Sequence, residues 1–267
     1  MIDTSNANSK VEIINISNSY IGRSGDWPGT FTWQDARNVT IQNSGGGVVT
    51  GVHMRGLQAN TAALANLAIF GSPTVNDITL DNSTLCFPGQ KTNAPNIALV
   101  NDASTLAIRN NTIAAACDGT TFDPNKATAN ITFGSSNHNN MLIIGNFFAG
   151  PWQSRQGPIN DSGTALFNTT QNIIKDNYPG DTAPYTLASA AVIDPGYYPM
   201  VHLTGSVAVT NIRHPWRSRQ IYFYVPNGLS FTSGGGGTDP ICATKAIVAG
   251  DMAVAFYVPG PDCWAIR

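Results

Sequence analysis

Three carboxylates stand in loops where they could work as acids and bases. Asp118 and Asp123 lie in "CDGTTFDPNK" (117–126), and Asp161 ends "PWQSRQGPIND" (151–161). Hydrolysis of a glycosidic bond takes two carboxyl groups, about 5–5.5 Å apart for retention and about 6.5–9.5 Å for inversion. Elimination takes a base beside an acidic carbon, with Arg or Lys stabilising the anion that forms. Trp152 and Arg155 share the stretch with Asp161, and Lys91 sits in an earlier loop. An indole can stack on a sugar ring, and a guanidinium pairs with a carboxylate through two hydrogen bonds. Asp118, Asp123 and Asp161 are therefore the candidate catalytic residues, and Trp152, Arg155 and Lys91 the candidate glycan contacts. The competing reading is structural, because Asp-Gly and Asp-Pro are turn dipeptides and loop Asp commonly caps turns.

Other chemistries find little support. The four His, at 53, 138, 202 and 214, are scattered without metal-ligand spacing, and no carboxylate cluster suggests calcium, so no metal is expected. "SGGGGTD" (233–239) lacks the Lys-Ser/Thr of a phosphate loop, and no cofactor is expected. A net charge of −2 gives no footprint for nucleic acid or an anionic membrane. No apolar run approaches the ~18 residues of a membrane span, and the polar start "MIDTSNANSK" lacks the apolar stretch of a signal peptide. Cys86, Cys117, Cys242 and Cys263 read as buried free thiols, with a Cys242–Cys263 bridge as the alternative.

These loops must hang on a scaffold, and the composition says which kind. Only 11% of the 267 residues are charged, against about 25% in ordinary soluble domains. Asn, Gly, Ser and Thr fill the gap, and they favour turns and strands over long helices. Glu12 is the only glutamate. An all-β protein is expected.

A phrase of the form apolar-x-apolar-x-Asn-Ser/Asn-x-apolar recurs. It appears as "INISNSYI" (14–21), "VTIQNSGG" (39–46), "ITLDNSTL" (78–85) and "LAIRNNTI" (106–113), then more loosely at 141–148 and 172–179. The steps between copies run from 25 to 39 residues. A second series precedes the copies: "FTW" (31–33), "NLAIFG" (66–71), "NIALVN" (96–101), "NITFGS" (130–135) and "TALFNT" (164–169). Each period thus holds at least two short strands around a bend. Such a unit cannot bury its apolar face alone, but stacked units can. The pattern predicts a parallel β-helix over residues 1–182. Asn18, Asn43, Asn82 and Asn110 fall in one column and form the expected structural ladder, since Asn tolerates a left-handed bend and its amide can bond between copies. The same alignment sets Asp81 beside Arg109, and Glu12 beside Arg37, as charge pairs between coils.

The pattern stops at "DNYPGDTAPY" (176–185), a Pro/Gly-rich linker. Residues 183–267 show clearer alternation and a strong turn signal at Asn227-Gly228. "IRHPWRSR" (212–219) clusters three Arg with His214 and Trp216 and reads as a loop near a subunit interface, with an anion site as the alternative. Leu203-Thr204-Gly205, Thr210 to Ile212, the bulky strand Ile221 to Val225, Gly234 to Gly237 and the final Trp264 complete this half.

The combination resembles the C-terminal half of bacteriophage tailspike and tail-fibre proteins with a pectate-lyase-like helix. The resemblance covers most of the chain by architecture, and residues 186–267 by motif. It implies a right-handed parallel β-helix followed by a small C-terminal β module that clamps a homotrimer. It further implies a place in the virion after synthesis in the host cytoplasm, contact with phage tail components, and binding or cleavage of a bacterial surface polysaccharide. The first coil begins near Val11, so an N-terminal attachment segment has no room. Either the chain is a fragment or it attaches differently. Two other readings compete: a monomeric pectate-lyase-like lyase or hydrolase, and a non-catalytic structural virion protein.

Overall fold

The structure is a computed structural model. It describes residues 1–4, 6, 8–24, 37–70, 75–100, 103–117, 126–134, 138–150, 158–161, 173–179, 185–213, 219–234, 240–258 and 260–267. The fold is all-β, with no α-helix among the described residues. The chain forms two compact units, one of residues 1–166 with 176–181, the other of 167–175 with 182–267.

In the first unit the chain visits three parallel sheets in strict rotation. The first sheet takes Ile2–Asp3, Val39–Gln42, Leu67–Phe70, Ile97–Leu99, Ile131–Phe133 and Ile159–Asp161. The second takes Lys10–Ser17, Val48–Arg55, Val75–Asp81, Ala103–Arg109 and His138–Ile144. The third takes Tyr20–Ser24, Gln58–Ala62, Thr84–Cys86, Thr112–Ala114, Phe147–Ala149 and Tyr178–Pro179. Equivalent positions in successive circuits are 26, 28, 35 and 31 residues apart.

Apolar alternation now has a physical target. Ile41, Ile69, Leu99 and Phe133 stack in register from the first sheet. Met54, Leu80, Ile108 and Ile143 stack from the second, and Ala59, Leu85, Ile113 and Phe148 from the third. All twelve are buried. Burying each large one contributes about 1.5–3 kcal/mol.

Two sequence assignments are corrected by the register. "VTIQNSGG" (39–46) belongs to the first sheet, not to the recurring phrase of the second. The true second copy is Val48–Arg55, whose Met54 pairs with both Ile16 and Leu80. Its bend reads Gly56-Leu57, without the Asn or Ser that each of the other copies carries at one of these two positions, which hid it. In the first sheet Ile159–Asp161 follows Ile131–Phe133, in the place expected for 164–169. Residues 31–33 and 164–169 lie outside the described residues.

The bend between the second and third sheets is left-handed in every circuit. Asn18, Gly56, Asn82, Asn110, Gly145 and Asp176 have φ of 49°, 64°, 47°, 54°, 67° and 55°. Asn, Asp and Gly suffer least in this region. Asn43 is not in this column; its Nδ2 donates to the Gly47 carbonyl at 2.9 Å within its own turn. Nor do Asn18, Asn82 and Asn110 form the hydrogen-bonded ladder. That ladder runs one residue further on. The Leu57 N–H donates to Ser83 Oγ, Ser83 N–H to Asn111 Oδ1, Asn111 N–H to Asn146 Oδ1 and Asn146 N–H to Asn177 Oδ1. A second ladder lines the corner between the third and first sheets: Asn38 donates to Asn66, Asn66 to Asn96, and Asn96 to Asn130.

Replacing a glycine of this bend is costly chiefly because other side chains are strained at its left-handed φ. A Cβ on Gly145 would stand 2.6 Å from Asn110 Oδ1. Gly145→Ala is expected to destabilise the fold by about 1–2 kcal/mol through left-handed strain, read as a lower melting temperature.

A second left-handed column, missed in the sequence, bends the second sheet itself. It comprises Ile13, Gly51, Asp77, Thr105 and Asn140. Ile13 and Thr105 are β-branched and so adopt this backbone at a cost.

The first strand is pinned by Asp3. Its carboxylate accepts from Ser44 Oγ at 2.6 Å, Ser44 N–H at 2.8 Å and Gln42 Nε2 at 3.0 Å. These bonds, led by the Ser44 hydroxyl, lower its pKa from 3.8 to about 2. A depressed folded-state value means the contribution is whole above the unfolded pKa and disappears as pH falls through the folded one. The amide protection factor of Ser44 is therefore expected to fall between about pH 4 and pH 2, ahead of the amides of the buried strand Ile97–Leu99.

Glu12 does not meet Arg37. It pairs with Lys10 at 2.5 Å, while the Arg37 guanidinium lies 5.2 Å from the Phe70 ring centroid. The thiol expectation is also overturned. Cys86 is bonded to Cys117 and Cys242 to Cys263, with no free cysteine.

The second unit is built on a mixed five-stranded sheet in the order Tyr185–Ala188, Met200–Thr204, Gln220–Val225, Asp251–Val258 and Cys263–Ile266. Alternation in "QIYFYV" drives Ile221, Phe223 and Val225 into a core with Val201, Leu203, Phe231, Ala253 and Trp264. Arg219 is buried there. Its guanidinium donates to the carbonyls of Arg213 and Gly196 and lies within 6 Å of the Tyr197 and Trp264 rings. This gives Arg219 a structural place; residues 214–218 lie outside the described residues. The other face of the sheet leaves Met200, Tyr222, Tyr224 and Met252 40–50% exposed. Met200 pairs with Tyr222 in register, and Tyr224 with Met252.

Candidate functional site

On the outer face of the second sheet, alternate residues of four circuits stand side by side. One row is Asn15, His53, Thr79 and Ala107; the next is Ser17, Arg55, Asp81 and Arg109. Period-2 alternation forces this display, because Ile16, Met54, Leu80 and Ile108 between the rows point into the core. Together the rows line a groove of about 420 Å³, a size suited to a small ligand or a sugar unit.

The groove is mixed in charge, with polar side chains over a largely apolar lining. Arg109 Nη2 lies 3.9 Å from Asp81 Oδ2, as the sequence alignment anticipated. At that distance, with the two side chains 41% and 20% exposed, the pair contributes only about 0–1 kcal/mol. It also leaves capacity unused: Arg109 Nε and Asp81 Oδ1 are shielded from solvent and have no hydrogen-bond partner. Arg55 is exposed in the row between Ser17 and Asp81, and its guanidinium bonds to no described residue. His53 Nδ1 and Thr79 Oγ1 share a hydrogen bond of 2.9 Å, which orients the imidazole at the groove wall.

The candidates proposed from the loops are elsewhere. Asp118, Asp123, Trp152 and Arg155 lie outside the described residues. The backbone of Asp161 ends the first-sheet strand Ile159–Asp161, as register partner of Phe133; its side chain is likewise outside the description. Lys91 is exposed in the turn after Thr84–Cys86, where its N–H donates to the Ala63 carbonyl at 3.1 Å. It does not line the groove. Asp81 and Arg109 were visible in the sequence but read as a structural pair. Arg55 and His53 were missed because the strand that carries them was not recognised as a copy of the repeat.

Among the described residues the groove offers a single carboxylate, Asp81, where hydrolysis would call for two. It presents cations, an anion, an imidazole, hydroxyls and an amide on one sheet face. No group of three or more His, Cys, Asp or Glu suited to a metal ion occurs among the described residues. No helix among them is long and apolar enough to cross a membrane. Searches against protein-family models, curated proteins and solved structures found no match to this chain.

Proposed function

We propose that the chain is a tailspike-like receptor-binding protein of a phage tail. In this reading the first unit is a right-handed parallel β-helix that recognises a bacterial surface polysaccharide. The second unit holds three copies together in the virion. The observation that carries the reading is the in-register rotation through three parallel sheets, which sets charged and polar side chains of successive circuits side by side along one groove. Repeated sugar units suit a surface whose side chains repeat from circuit to circuit.

Two further features support it. The exposed sheet face with Met200, Tyr222, Tyr224 and Met252 is apolar and aromatic, the composition of an interface centre. Two disulfides suit a protein that works in an oxidising, extracellular setting.

The test is solution mass by light scattering after size exclusion. The full chain is expected at three times 28.2 kDa. The double variant Tyr222→Glu/Tyr224→Glu is expected to run as a monomer with an unchanged circular-dichroism spectrum. A monomeric full chain overturns the clamp and with it the tail-protein reading.

A further inference from the structure

The charge layout of the groove says which glycans fit it. Along the outer row, Ser17, Arg55, Asp81 and Arg109 follow one another across neighbouring strands. Neighbouring strands are about 4.8 Å apart, so Arg55 and Arg109 are about 10 Å apart. Both cations are available to a ligand. Arg55 bonds to no described residue, and Arg109 holds Asp81 only loosely, at 3.9 Å, with its side chain 41% exposed. Two arginines against one aspartate leave the groove net positive in a chain whose net charge is −2. The Arg109 side chain is 41% exposed, and a guanidinium takes a carboxylate through two parallel N–H···O bonds. Asp81 stands between the two arginines with its side chain 20% exposed, so a hydroxyl beside the sugar's carboxylate meets its carboxyl group. Asn15, Ser17, His53 and Thr79 supply further polar contacts at the walls.

We propose that this groove binds a carboxylate-bearing polysaccharide, with Arg55 and Arg109 each taking a carboxylate and Asp81 taking a sugar hydroxyl. The proposal deepens the glycan-recognition reading and rests on it. Binding here involves no bond cleavage, and its energy is carried by charge-assisted hydrogen bonds in a solvent-open groove. It should therefore weaken as salt rises.

The experiment titrates the full chain at low salt with polygalacturonate, alginate, hyaluronan and polysialic acid. Each is paired with its carboxyl-reduced neutral form, and dextran sulfate is added as a sulfate polyanion. At least one carboxylate polymer is expected to bind, with its reduced form at least tenfold weaker. Arg55→Gln and Arg109→Gln are each expected to weaken binding about tenfold, for the loss of one charge-assisted pair. The exposed Lys245→Gln, in the other unit, should leave binding unchanged. Both arginine variants must keep the parental melting temperature. The comparison of native with reduced polymer uses unaltered protein, so it stands even if a variant misfolds.

Equal binding of native and reduced polymers overturns the carboxylate assignment and leaves glycan recognition standing. Failure of every polymer, charged or neutral, overturns both. Binding of dextran sulfate alone, or binding that both arginine variants leave intact, overturns the assignment of this groove to carboxylates.

Discussion

Asn146→Ala is expected to cost about 3 kcal/mol of stability, whereas Asn110→Gly should cost almost nothing. Asn146 is fully buried. Its Oδ1 accepts from the N–H and the Nδ2 of Asn111, at 3.1 and 2.9 Å. Its Nδ2 donates to the Ile108 carbonyl and to Asn177 Oδ1, both at 2.9 Å. Truncation leaves the Asn111 N–H and the Ile108 carbonyl facing a void where water is excluded. Each orphaned backbone group costs about 1–3 kcal/mol, and loss of packing adds to it. Asn110 is the contrasting case. It is exposed at the left-handed bend with φ of 54°, so its task is to tolerate that backbone, and glycine does this without strain. Chemical denaturation of the two variants checks the pair. If Asn110→Gly proves as damaging as Asn146→Ala, the ladder is misplaced by one residue.

The second large effect is loss of the disulfides. Cys86–Cys117 closes 31 residues and Cys242–Cys263 closes 21. Cross-links over loops of this length stabilise by about 3–4 kcal/mol each in the chain-entropy account. Their settings differ. Cys86 is buried while Cys117 is exposed, and Cys263 is buried beside Trp264 in the core of the second unit. Melting in a strong reductant is expected to fall in two steps that follow the two units. Cys242→Ser should lower only the transition reported by Trp264 fluorescence. Cys86→Ser should lower only the transition of the first unit. A melt that reductant leaves unchanged would show that neither bridge forms in solution.

Much of the scaffold could be read from residue order, because the relevant preferences are local. Alternation in "ITLD" or "QIYFYV" follows from the period of a strand, whatever it packs on. The Asn residues at 18, 82 and 110 announce left-handed bends, because few other side chains accept that backbone. Pairing of Asp81 with Arg109 followed from aligning two copies that share those signals. Hence an all-β chain with a repeating first part and a different last part was legible.

Tertiary structure decided the rest, because it depends on which distant segments come into register. The strand Val48–Arg55 is followed by Gly56-Leu57, with no Asn or Ser at either bend position, so only pairing with Lys10–Ser17 and Val75–Asp81 identifies it. With it came Arg55 and His53, and therefore the groove. The ladder runs through Asn111 and Asn146 rather than Asn110 because only the inward neighbour of each bend faces its copy across a circuit. Cysteine partners follow the same rule: Cys86 and Cys117 are 31 residues apart, and the winding of the chain brings their Cα atoms to 5.8 Å. By itself, the sequence determined the local backbone and its repetition. The register between circuits determined which side chains share a surface, since a shift of one residue turns every side chain to the opposite face.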